Sequence, residues 1–391
     1  MELDAERQKK ARAYARIRRR LSFVNVGIAI IGVIIIFWTR LDWGLRDWLH
    51  PLIWQPIAGW FPFQLFVYFV ILLLAYALIT SPLSYYAGFI LPHQYGLSVQ
   101  SLKGWLLDLI KGMALGLVLE SLAIEVIYVL LATQPQFWWL WVALIWLLFT
   151  VVMANLAPVL LFPIFYKFTP LPEGELRQRL LTLAQRTKTR VRGVFSMQLS
   201  RKTTAANAAL MGLGNTRRIV LADTMLDRYT PDEIEVVLAH ELGHHVHYDI
   251  WKLIISQSIL TLAGLYLVNV ALHWSVETQH FYQGLADPAT IPFVLVLTGV
   301  FGMIVTPLSN GLSRMIEYQA DEYALAMTHK VESFKSAMTR LANQNLAEVE
   351  PLPIVEFLFH NHPSIKKRLE HAHEFASRTD FVPDIALSAD G

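Results

Sequence analysis

Six stretches of this chain stay apolar for about the length an α-helix needs to cross a bilayer: Leu21 to Trp38, Phe63 to about Ser81, Trp105 to Leu131, Phe137 to Phe162, Trp251 to Trp274 and Ile291 to Leu308. Between the fourth and fifth, from about Lys167 to Tyr248, the pattern turns mixed. Leu176, Leu180, Leu181 and Leu183 form a helical stripe within Glu173 to Lys188. Val191 to Leu199, Ala205 to Met211 and Arg218 to Ala222 read as strands, and Gly212-Leu213-Gly214-Asn215 between the last two reads as a hairpin turn. After the sixth stretch the chain is a helical tail in two parts, divided at Pro351 and Pro353. Leu41 to Trp60, interrupted by tryptophan and proline, reads as interfacial or looped, and residues 1–20 as a basic interfacial helix or a disordered basic tail.

Composition agrees with a membrane protein. Of 391 residues 54% are hydrophobic and only 16% charged, and the mean hydropathy is +0.41, too apolar for an ordinary soluble enzyme. The net charge of +2 and the lack of a basic stripe argue against nucleic acid as a partner. Lysine and arginine fix the orientation. Residues 1–20, 163–249 and 309–391 hold 28 of the 33, whereas the intervening loops 39–62, 132–136 and 275–290 hold only Arg40 and Arg46. Six spans place the three basic regions on one face, and the positive-inside rule makes that face cytoplasmic. The first apolar stretch is too long for a cleavable signal, and Thr39-Arg40 follows it with no small-residue cleavage site. There is no cysteine, which excludes disulfides, thiolate nucleophiles and cysteine-bound zinc and leaves His, Asp and Glu as metal ligands.

The chemistry centres on His240-Glu241-Leu242-Gly243-His244. Thr230-Pro231-Asp232-Glu233 supplies a capping box and a first-turn proline, and Ile234, Val237, Leu238 and Leu242 follow at helical spacing. On that helix, predicted to run on toward the apolar stretch after Tyr248, His240 and His244 share a face and are suited to grip one zinc ion. Glu241 is then placed as general base toward a water. A third ligand is required. An HExxHxxGxxH extension fails, because Val246 and Ile250 stand where it needs glycine and histidine. The alternative is a carboxylate from another helix. Glu317 and Asp321, four apart just after the sixth span, share a face, so that one could bind zinc while the other orients a ligand histidine.

HELGH followed across two apolar spans by Asn310-x-x-Ser313-Arg314-x-x-Glu317-x-x-x-Asp321 resembles the type I CAAX prenyl protease family of integral-membrane, gluzincin-type zinc metallopeptidases. The likeness extends to Ala206-Asn207-Ala208, Arg218-Ile219-Val220-Leu221, His362-Pro363 and Arg368. It implies that His240, His244 and Glu317 bind one zinc ion per chain, that Glu241 is the base, and that Asp321 supports a ligand histidine. Asn207 and Ala208 would lie on an edge strand to which substrate adds as a further strand. His362 and Arg368 would act as catalytic groups near the scissile carbonyl. Glu120 and Glu125, acids within the third apolar stretch, would line a hydrated chamber of the kind the family encloses. The fold expected is mainly α: a polytopic helical bundle bearing a small α+β zincin-like domain on the cytoplasmic side. Its parts are the basic segment 1–20, a transmembrane domain 21–162 of about four spans, and a metallopeptidase domain 163–391 that includes the spans at about 251–274 and 291–308. The function expected is a membrane zinc metalloendopeptidase acting on peptides or proteins with an apolar or lipidated segment, in contact with the lipid bilayer. A stress-type quality-control zinc protease is the alternative, disfavoured because such proteins place two spans before the motif. A non-catalytic scaffold is the more remote reading. Eukaryotic members follow a seven-span design, so six spans favour a bacterial inner membrane over the endoplasmic reticulum.

Overall fold

The computed structural model describes residues 3–53 and 63–378. Among them six helices are long and apolar enough to cross a membrane: spans one (Ala5–Trp38), two (Phe63–Gln94), three (Leu102–Thr133), four (Trp138–Phe165), five (Asp249–Thr278) and six (Pro288–Thr328). Most outrun their apolar stretches, and spans two and six do so through internal prolines, Pro82 and Pro307. Span one is the clearest case. Asp4 caps it by accepting from the Arg7 N–H, and no glycine or proline interrupts residues 5–26. The basic segment is therefore neither a tail nor a separate in-plane helix but the first half of this one. It docks on protein: Ala11 is fully buried, Arg7 Nη1 donates to the Asn343 carbonyl at 2.6 Å, and Arg19 pairs with Glu348 at 2.9 Å. Leu41–Ile53 is an amphipathic helix rather than a loop, and residues 54–60 of that expected stretch lie outside the described residues.

The segment between spans four and five folds around a four-stranded sheet of order β1-β2-β4-β3, with β1 Phe168–Pro170, β2 Val194–Met197, β3 Ala208–Met211 and β4 Arg218–Ala222. β2 and β4 are parallel, and the two outer pairings are antiparallel. β1 was not expected; three residues ending in proline carry no alternation, and proline suits an edge. β4 is central, so Ile219, Val220, Leu221 and Ala222 are all buried and read as a continuous apolar run. The β3–β4 turn needs Gly212, whose φ of +92° and whose missing Cβ, otherwise 2.8 Å from the Thr216 carbonyl, admit no side chain. Helix Glu175–Arg186 and helix Val331–Gln344 pack with the sheet and with the helix that carries HExxH (Pro231–Val246, the motif helix), burying Leu180, Leu183, Val236, Leu238 and Phe334 in one core.

A second core ties the spans together far from the motif. Leu65, Tyr68, Tyr128, Trp138, Leu272 and Ile291 meet there, with hydrogen bonds from Tyr128 to Thr290 (2.6 Å) and Trp138 Nε1 to Asn269 (2.7 Å). Leu272 stands 23 residues along span five from Asp249, a climb of about 35 Å. The outer faces between the two cores are apolar and exposed, as in Ile255, Ile259, Ile304 and Leu308, which fits lipid contact. Glu120 is exposed, and Glu125 is half-buried with Oε2 unpartnered among the described residues.

Candidate metal centre

The motif helix begins as its sequence dictates. Thr230 Oγ accepts from the Glu233 N–H, and Glu233 Oε2 accepts from the Thr230 N–H at 2.8 Å. Its end is different from the expectation. The helix stops at Val246, Tyr248 turns the chain with a left-handed φ of 59°, and span five starts afresh at Asp249. That corner swings the Asp249 carboxylate back to His244, with Nδ1 to Oδ2 at 3.0 Å, while Lys252 Nζ holds the other oxygen at 2.8 Å. Asp249 is thus a residue of the site that sequence reasoning missed. The only local signal was an acid opening an apolar run, five residues past the second histidine.

The partner helix is span six, and it crosses the motif helix closely at Gly243. A Cβ there would lie 3.2 Å from Ala320 Cα and from Tyr323 Cβ, so the glycine of HELGH sets how near Glu317 comes. His240 Nε2 lies 3.4 Å from Glu317 Oε2, and His244 Nε2 lies 3.5 Å from Glu317 Oε1. One ligand atom from each of the three residues falls within 4.8 Å of the others. Tetrahedral zinc with bonds near 2.0–2.1 Å separates its ligands by about 3.3 Å, so these spacings suit a shared ion better than direct hydrogen bonds. Glu317 Oε2 is buried without a hydrogen-bond partner, with His362 Nδ1 2.8 Å and Arg368 Nη1 3.9 Å from it. A buried carboxylate oxygen left uncommitted between two imidazoles fits a cation.

Each histidine is backed on its other nitrogen. His240 Nδ1 is 2.8 Å from Asp321 Oδ1, and Asp321 is gripped on both oxygens by Arg368, at 2.8 Å from Nε and 2.5 Å from Nη2. Both imidazoles therefore present Nε2 to the centre, the tautomer that a carboxylate on Nδ1 selects. Burial pulls the His240 pKa down, but Asp321 and Glu317 outweigh it and lift it to about 9. His244 is raised in the same way, burial being outweighed by Glu317 and Asp249. Arg368 is buried, with Nε and Nη2 on Asp321, Nη2 also 3.4 Å from His240 Nδ1 and Nη1 3.9 Å from Glu317, so it stands behind His240. His362 is more than half exposed and faces the centre directly. Its loop is pinned by Asn310 Nδ2 on the Leu358 carbonyl (3.0 Å) and Arg314 Nη1 on the His360 carbonyl (2.6 Å), which gives the Asn310 and Arg314 of the sequence pattern a structural task. Glu241 is partly buried next to His240, close enough for its charge to act on Arg368. Asn207 leads into β3, an outer strand packed against the motif helix. His245 and His247 stand outside the three-ligand group.

Comparison with known proteins decides the family. Residues 170–376 match the model of peptidase family M48, and residues 1–167 match the N-terminal region of CAAX prenyl proteases, described as five membrane helices. The chain belongs to peptidase family M48. It is a multi-pass membrane protein of a metalloprotease family, and four of its spans, among the described residues, fall in the region described as having five. It is 28% identical over 368 residues to the uncharacterized metalloprotease YhfN of Bacillus subtilis, covering 93% of this chain and 85% of that one. The CAAX prenyl protease 1 homolog of Arabidopsis thaliana is 27% identical, covering 97% of this chain and 90% of that one. The crystal structure of S. mikatae Ste24p shares the fold, with a TM-score of 0.82 at 23% identity, covering 95% of this chain and 89% of that one.

Proposed function

We propose that this M48 protein is a zinc endopeptidase that cleaves peptides or proteins with an apolar or lipidated segment at the cytoplasmic face of a membrane, the bacterial inner membrane being the setting its six spans favour. The observation that carries the reading is the convergence of His240 Nε2, His244 Nε2 and Glu317 on one point beside Glu241. These three residues would hold the ion, and zinc bound there polarises a peptide carbonyl and acidifies a water. Glu241 takes the proton from the attacking water and delivers it to the leaving amine. His362, exposed at the rim of the centre, donates to the oxyanion that develops on the substrate carbonyl. Arg368 and Asp321 act through His240, fixing its ring and its tautomer, rather than by touching substrate. An extended substrate adds to β3 at Ala208, whose main-chain groups face the open edge, while the neighbouring Asn207 ties its carbonyl to the Ala222 N–H and holds the strand in the sheet. Support for a lipidated substrate comes from relatives named CAAX prenyl protease and from exposed apolar spans meeting at the site. The cytoplasmic placement rests on the bias of lysine and arginine.

The test uses purified protein in lipid nanodiscs, zinc analysis, and an internally quenched peptide with and without a prenylated cysteine. Glu241→Gln is expected to keep one zinc per chain and lose on the order of 10²–10⁴-fold in turnover. Undiminished turnover in that variant removes Glu241 as the base, and wild type that binds no zinc removes the assignment altogether.

A further inference from the structure

The hydrogen bonding of β3 assigns a stop at one end of the strand that receives substrate. The Ala222 N–H donates to the Asn207 carbonyl at 2.9 Å, and Ala209 and Met211 oppose Val220 and Arg218. In an antiparallel pair the main-chain groups of alternate residues face the partner strand. Asn207, Ala209 and Met211 therefore turn theirs to β4, while Ala206, Ala208 and Leu210 turn theirs to the open side; Thr204, in a bend before the strand, gives its N–H to the Leu97 carbonyl at 3.0 Å. On that side the residues differ. The Ala206 N–H donates to Asn345 Oδ1 at 2.8 Å, and Asn345 Nδ2 donates to the Ala206 carbonyl at 3.0 Å. Two residues before Ala206, Gln344 Nε2 donates to the Thr204 carbonyl at 2.8 Å. Ala208 and Leu210 belong to the outer strand of the sheet and pair only with β4 among the described residues.

We propose that Asn345 is a specificity-determining residue: its side-chain amide imitates the next rung of a strand on Ala206 and limits how far a bound peptide extends past Ala208. This rests on the reading that substrate adds to β3. A carboxamide offers one donor and one acceptor in the spacing of a peptide group, which lets it satisfy both main-chain groups of Ala206 at once. Substrate main chain is thereby confined to the rungs at Ala208 and Leu210, and a chain continuing past Ala208 must leave the sheet. Asn345 is firmly placed for this, since it follows helix Val331–Gln344 directly and its own N–H is tied to the Leu341 carbonyl at 2.9 Å. The consequence is a protease that tolerates only a short peptide on one side of the cleaved bond.

The experiment compares two series of internally quenched peptides in nanodiscs, one lengthened residue by residue at the amino end and one at the carboxyl end. Wild type is expected to lose kcat/KM with length in one series only. Asn345→Ala is expected to raise the long-to-short ratio of kcat/KM in that series on the order of tenfold, mainly through KM, with zinc content retained. Asn345→Asp keeps the acceptor for the Ala206 N–H and loses the donor, so it should give a smaller rise and serves if the alanine variant is unstable. Equal length tolerance at both ends in wild type overturns the proposal, as does a ratio that neither variant moves. Wild type that cleaves no member of either series defeats the substrate reading itself, and the stop falls with it.

Discussion

The two histidines of the motif are held by carboxylates on opposite sides of the centre, and the two sides are built differently. Behind His240, Asp321 and Arg368 are both buried and bound to each other through two hydrogen bonds, from segments 47 residues apart. Behind His244, Asp249 is buried but leans on Lys252, an exposed lysine three residues along the same helix. The chemistry presented to the metal is the same, a carboxylate on Nδ1. The cost of disturbance is not. Removing one member of a buried pair strands the other charge without water, whereas an exposed lysine that loses its acid is solvated.

Asp321→Ala breaks the inner side and should have the largest effect. Leaving Arg368 buried with only Glu317, 3.9 Å from its Nη1, to face it is expected to destabilise the protein by about 3–5 kcal/mol and to abolish zinc binding, read by thermal unfolding and metal analysis. Replacing both partners, Asp321→Leu with Arg368→Met, should restore much of the stability but not the zinc affinity. The contrast collapses if Asp321→Ala unfolds no earlier than the corresponding change on the outer side.

That outer change is Asp249→Ala. Zinc affinity should fall roughly 10–100-fold by competition with a chelator, because His244 loses its orienting acceptor, while the unfolding midpoint barely moves. A large drop in the midpoint would mean that the corner at Tyr248 depends on Asp249 and that the two sides are alike after all.

The smallest effect serves as a control at the other end of the motif helix. Arg179 and Lys330 together hold Asp232 and Glu235. The Asp232 carboxyl is lowered by its bonds to Arg179 and Lys330, and for Glu235 the same two cations outweigh a burial that alone would raise it. Folded values below the unfolded ones mean stability that is fully present above the ordinary carboxylate range of about 4 and is lost as pH falls through the depressed folded values. Arg179→Ala should therefore cost about 1 kcal/mol or less at pH 7, and the difference from wild type should shrink below about pH 4. Zinc affinity should stay unchanged; a shift there would tie this cluster to the metal centre.

Much of the fold could be read in advance because lipid imposes one-dimensional rules. Apolar length marks spans, and the motif helix announces its own start in Thr230 to Glu233. Errors came where an end depends on contacts made elsewhere. Residues 5–20 carry no helix breaker, but only Asn343 and Glu348, more than 300 positions away, show where that helix rests. β1 is too short to carry a pattern and exists because β2 pairs with it. Asp249 was invisible because its role depends on the left-handed corner at Tyr248, which a tyrosine does not advertise.

By itself the sequence determined which residues are competent to bind a metal, that cysteine plays no part, and which of the described helices are apolar enough to cross a membrane, since residue type, helical spacing and hydropathy are properties of neighbours along the chain. Only the tertiary structure decided that Arg368 stands behind His240, that Asp249 serves His244, and that Asn345 occupies the edge of β3. Those facts are distances between segments far apart in sequence, fixed by the close crossing at Gly243 and by the packing of the tail, and no local pattern encodes them.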